Sequence, residues 1–143
     1  SCHCEKEVAD FFASRDDWDI ATLELGINMR GQYTADEFRS RAAYMIGKLV
    51  ETYPEKPVVV ITHFTNIAGN RDEEGEQWER QQAYDAALRE IVRETARGNL
   101  HLVEGTEILP EFHGLTCDMV HPSDYGHIIM GQNLAARLAP LMT

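Results

Sequence analysis

The sequence predicts a three-layer α/β domain built on a parallel sheet. Two observations carry that expectation. Pro57 to Thr62 reads PVVVIT, a continuous β-branched run of the kind found in strands covered on both faces. Short apolar runs of this sort alternate along the chain with longer stretches of helical periodicity, the order that parallel strands joined by right-handed crossovers produce. A chain of 143 residues with 43% apolar content can bury one core, so residues 1–143 are expected to form a single domain.

The elements follow in order. Val8, Phe11 and Phe12 set an apolar stripe on a helix over Glu5 to Arg15. Trp18 to Leu25, bounded by Asp17 and Gly26, suits a buried strand entering a glycine turn. Thr34 and Glu37 form a T-x-x-E capping box, so a helix is expected from Ala35 to Tyr53. The PVVVIT strand is followed by a polar loop through Asn70 to Gly75. Tyr84, Ala87, Leu88, Ile91 and Val92 then mark a long helix over Trp78 to Thr95, with Gly98 where a C-terminus would want it. Leu100 to Glu104 gives a third strand, and Ile128 to Leu141 a final amphipathic helix after the start signal Pro122-Ser123. In such sheets ligands bind beyond the carboxyl ends of the strands, which places the loops starting at Gly26, His63 and Gly105 on one rim.

Composition excludes some classes. Lys and Arg total 13 against 24 Asp and Glu, a formal charge of −11 that would repel a phosphate backbone, and no basic face offsets it, so no nucleic-acid partner is expected. No apolar run approaches the roughly 20 residues of a membrane helix, and Ser1 to Glu7 does not read as a signal peptide. Three cysteines, Cys2, Cys4 and Cys117, are too few for a disulfide scaffold, which mildly favours a reducing, cytoplasmic compartment; secretion stays open if an upstream signal has been removed. No G-x-G-x-x-G or P-loop sequence supports nucleotide binding.

Two features on the rim can carry chemistry. Gly26-Ile27-Asn28-Met29 follows the first strand, where the glycine permits a sharp turn and Asn28 either forms that turn or aims its carboxamide N–H at a developing oxyanion. Asp118-Met119-Val120-His121 lies between the last strand and the last helix. One loop turn can bring the Asp118 carboxylate to one imidazole nitrogen of His121 and leave the other facing the crevice; a capped surface loop is the plainer alternative. Pro122 fixes the chain after His121, and Ser123 or Asp124 caps the helix beyond.

Together these residues resemble the SGNH hydrolase superfamily, the GDSL-type serine esterases. Its third block, G-x-N-D after a strand, is matched by Gly26 and Asn28, with Met29 where the family usually has Asp. Its fifth block, D-x-x-H before the C-terminal helix, is matched by Asp118 and His121. The resemblance spans nearly the whole chain and implies a flavodoxin-like fold. It implies hydrolysis of a small acyl ester by a Ser-His-Asp triad, with His121 as base, Asp118 as its orienter and Asn28 in the oxyanion hole, and with no metal or organic cofactor.

The G-D-S block with the nucleophilic serine, and the glycine of the second block, have no counterpart here. Ser1 to Glu5 resembles the helix start just past that glycine, so the chain is expected to be a C-terminal portion lacking the first strands. No nucleophile is then expected within it, nor turnover by this chain alone. Of its serines, Ser40 falls mid-helix, Ser123 reads as a cap, and neither Ser1 nor Ser14 follows a strand in a glycine-rich elbow. Cys2-His3-Cys4 lacks common zinc spacing and would need His113, Cys117 or another fourth ligand, so no metal is expected. His63 and His127 either line the rim or satisfy local hydrogen bonds, and Trp18, Trp78 and Tyr84 read as packing residues. The competing reading is a non-catalytic module that self-associates through the exposed edge of the Ile20 to Leu25 strand.

Overall fold

The computed structural model describes residues 3–68 and 75–142. Its elements are α1 (Lys6–Ala13), β1 (Ala21–Glu24), α2 (Ala35–Thr52), β2 (Val58–Ile61), α3 (Glu76–Thr95), β3 (Leu100–Val103), the single turn α4 (Gly105–Ile108) and α5 (Asp124–Leu138). The strands form one sheet in the order β1-β2-β3, parallel throughout, with Ala21 opposite Val58 and Val58 opposite Leu100. The expected polar loop of Asn70 to Gly75 falls, apart from Gly75, outside the described residues.

Alternation along β2 divides the core between two faces. Val58 and Val60 pack with Ala9 and Ala13 of α1, Phe38 to Val50 of α2, and Tyr84, Leu88 and Ile91 of α3. The rings of Phe38 and Tyr84 stack there at 3.9 Å. Val59, Ile61 and Val103 face the other way, where Ile108 and the partly buried Met130, Leu134 and Leu138 of α5 cover them. Helices on both sides of a parallel sheet make the expected three layers, with all four residues of β2 buried.

Local signals place most element ends. The capping box is formed: the Glu37 N–H donates to Thr34 Oγ1 at 3.3 Å, and the Thr34 N–H to Glu37 Oε2 at 2.8 Å. Two expectations are corrected. The last helix begins at Asp124 rather than Ile128, because Ser123 is its N-cap and accepts from the Gly126 N–H at 3.1 Å, drawing Tyr125 to His127 into the first turn. Gly126 suits that turn, since a Cβ there would lie 1.9 Å from the Gly114 carbonyl oxygen. At the end of α3 the left-handed position falls on Ala96, not Gly98. The following Asn99 amide instead binds the carbonyls of Val50, Tyr53 and Lys56 and ties the end of α2 to β3.

Candidate active site

Beyond the carboxyl end of β1 the chain turns sharply at Gly26, whose φ is +121°, and the Met29 N–H donates to the Gly26 carbonyl at 2.8 Å. Met29, at the position where an Asp was the expected family residue, is fully buried in the α1–α3 core. The Tyr84 hydroxyl donates to the Met29 carbonyl at 3.2 Å and to the Tyr33 carbonyl at 2.7 Å, so the far side of the turn is anchored to α3. Asn28 remains exposed at the rim.

The second loop is held by its own aspartate. Asp118 Oδ1 accepts from the Thr116 hydroxyl at 2.8 Å, the Val120 N–H at 2.8 Å and the His121 N–H at 3.0 Å. Its Oδ2 lies 2.7 Å from His121 Nδ1. These bonds, the two from His121 foremost, hold the Asp118 carboxyl well below the usual carboxylate range. An ionised carboxylate only accepts, so Nδ1 carries the imidazole proton and Nε2 presents a lone pair, the arrangement of a base and its orienter. Met119 at φ +60° lets the loop close, and its carbonyl receives the Ile67 N–H at 2.8 Å, tying this loop to the one after β2.

Both loops open on one cleft of about 360 Å³, lined by Asn28 and His121 together with Glu24, Arg30, Phe64 and Asn66, among others. The structure thus brings Asn28 and His121 to a common space with Asp118 behind the imidazole, while Gly26 supports the turn from below. The described serines lie elsewhere: Ser14 Oγ donates to the Phe11 carbonyl, Ser40 is within α2, and Ser123 Oγ donates to the Gly114 carbonyl.

A scan against protein families matches residues 5–129 to the GDSL-like lipase/acylhydrolase family. The chain belongs to that family. A search of curated proteins finds no match. Among solved structures, a Bacteroides ovatus protein described as a GDSL-like lipase superposes with a TM-score of 0.77 at 23% identity, covering 97% of this chain and 40% of that one. A carbohydrate esterase family 3 member from Talaromyces cellulolyticus gives 0.74 at 17% identity, covering 97% and 65%. An acetylxylan esterase from Geobacillus stearothermophilus gives 0.64 at 22% identity, covering 93% and 67%. This GDSL-like chain spans 40% and 42% of the length of the first two structures it resembles.

Sequence reading left three contributors to the GDSL-like cleft unnamed. Glu24 on β1 lines it, and burial pushes its carboxyl above the usual range. Arg30 is partly buried there and hydrogen bonds to Gln81 Oε1 and, at 3.4 Å, to Asn66 Oδ1. Asn66 is buried and donates to the Phe64 carbonyl at 2.8 Å and to Gln81 Oε1 at 3.0 Å. All three are ordinary surface types brought to the cleft by the end of β1 and the loops beyond β1 and β2.

His63 is placed as the local hydrogen-bonding reading expected: it is buried, with Nδ1 2.7 Å from Asp85 Oδ1, and the same oxygen accepts the His63 N–H at 3.0 Å. Its Nε2 has no hydrogen-bond partner among the described residues. His127 is exposed and bonds the Ser123 carbonyl. Cys2 lies outside the described residues, Cys4 is buried and Cys117 exposed, and among the described residues no group of His, Cys, Asp and Glu is placed to hold a metal.

Proposed function

We propose that this chain supplies the base, its orienter and one oxyanion donor of a serine esterase whose nucleophile comes from outside these 143 residues. The observation that carries the reading is the Asp118–His121 pair at 2.7 Å opening on the same cleft as Asn28. In the assembled site, His121 Nε2 takes the proton of a serine hydroxyl as its oxygen attacks the ester carbonyl carbon. The carbonyl π electrons move onto oxygen, where the Asn28 carboxamide N–H and backbone N–H groups stabilise the charge. Asp118 holds the imidazolium, which then protonates the departing alcohol; water repeats the sequence on the acyl-enzyme. Family membership supports ester hydrolysis in general. The carbohydrate and acetylxylan esterases among the structural neighbours favour an acetyl ester of a carbohydrate as substrate.

The test is hydrolysis of p-nitrophenyl acetate by the protein translated from its complete reading frame. His121→Ala is expected to lower kcat by about a thousandfold or more, and Asn28→Ala by about a hundredfold or more with little change in KM. Activity indifferent to His121→Ala overturns the reading. This chain alone is expected to show no turnover.

A second reading, self-association without catalysis, is favoured by one observation. A cavity of about 410 Å³ lies against the open edge of β1, walled by Trp18, Ile20, Leu23 and the exposed Phe11 and Phe12. Sedimentation equilibrium separates the two: a dimeric mass abolished by Phe12→Asp supports it, and a monomer sinks it.

A further inference from the structure

We infer that Arg30 is a binding residue for an anionic group on the substrate, so that the ester this cleft accepts carries a carboxylate. The inference rests on the esterase reading only for the word ester. Arg15, Arg39, Arg80, Arg89 and Arg137 each lie within ion-pair distance of a carboxylate. Arg30 is a partly buried arginine whose hydrogen bonds among the described residues go to the neutral side chains of Asn66 and Gln81.

Those partners are fixed before any ligand arrives. Asn66 and Gln81 are both buried and bonded to each other, and Asn66 Oδ1 also accepts the Ala68 N–H at 3.0 Å. Both bonds engage Nη1, so Nε and Nη2 donate to no described residue, and Arg30 lines the cleft wall with Asn28 and His121. A planar fork positioned in advance suits a carboxylate, which it can bind through two parallel bonds.

The charges around Arg30 act on it from a distance. Burial disfavours its cationic form, and Asp85 and Glu24 support that form from a distance. Asp85 is committed to His63, and neither Asp85 nor Glu24 forms an ion pair with Arg30 among the described residues. A half-buried cation without a contacting anion is costly, and a bound carboxylate would relieve that cost.

The experiment compares two acetyl esters of one length and branching, 4-acetoxybutyrate and 4-methylpentyl acetate, which differ in a terminal carboxylate against an isopropyl group. Each is titrated into the chain with NMR detection of the Arg30 Nε–H and the Asn28 carboxamide. The expected result is that 4-acetoxybutyrate moves both signals and binds about tenfold or more tightly than 4-methylpentyl acetate. The preference should fall to about unity in Arg30→Gln and return in part in Arg30→Lys. Equal binding of the two esters by the native chain, no shift at Arg30, or an undiminished preference in Arg30→Gln overturns the inference. Should Arg30→Gln fail to fold, the native chain's ratio and the Lys variant decide. Turnover is not read; hydrolysis by the protein translated from its complete reading frame tests the esterase reading separately.

Discussion

The imidazole of His63 occupies the space beside Gly26 that any side chain would need: a Cβ on Gly26 would lie 2.8 Å from His63 Cε1 and 3.0 Å from Nε2. With φ at +121°, the turn that presents Asn28 therefore depends on glycine both for its backbone and for its neighbour. Gly26→Ala is expected to cost roughly 2 kcal/mol of stability from strain and overpacking. Urea unfolding measures it, and a cost within a few tenths of a kcal/mol would contradict the packing described.

His63 is itself held by Asp85, whose Oδ1 satisfies both its ring and its main chain in a site closed to solvent. Removing that oxygen leaves two buried donors unpaired. Asp85→Ala should cost about 2–4 kcal/mol by chemical denaturation, and the Asn28 backbone amide should shift in NMR spectra because the ring beneath Gly26 is released.

Asp118 should titrate below the ordinary aspartate value of about 3.9, followed by its carboxyl ¹³C shift. The depressed folded pKa fixes the sign: its contribution to loop stability is fully present above that unfolded value and lost as pH falls through the lower folded one. His121→Ala removes its side-chain hydrogen bond, and the titration should move up towards the ordinary value.

Glu24 carries the opposite sign. Burial raises its folded pKa, so its relative stabilisation is present below the unfolded value of about 4.3 and lost as pH rises through the folded pKa. The melting temperature of Glu24→Gln relative to the native chain should therefore climb with pH across that interval. A constant difference between the two would show that Glu24 is not desolvated.

Ser123→Ala should cost about 1 kcal/mol, the usual value of an N-cap, and loosen the loop carrying His121, because the same hydroxyl also donates to the Gly114 carbonyl at 3.0 Å. Amide exchange of Gly126 and His127 reports it.

What could be read from sequence was what depends on local periodicity. The PVVVIT run, the Thr34–Glu37 box and the apolar positions of α2 and α3 are local, and they lie where expected. The pairing of Asp118 with His121 was legible because both belong to one short loop. Arg30, Asn66 and Gln81 were not, since they meet only when the loop after β2 and helix α3, 36 and 51 residues on from Arg30, converge on the turn after β1. Ala96 was missed at the end of α3 because Gly98, two residues on, is the better left-handed residue in isolation, while the Asn99 anchor to α2 sets the geometry. Met29 read as a lapse from a family motif; in the fold it is a core residue.

The most direct measurement is fluorophosphonate labelling of the protein translated from its complete reading frame, with and without His121→Ala, read by peptide mass spectrometry. The account predicts one modified serine outside these 143 residues, its labelling strongly reduced in the variant. An adduct on Ser1, Ser14, Ser40 or Ser123, or labelling indifferent to His121, would contradict it.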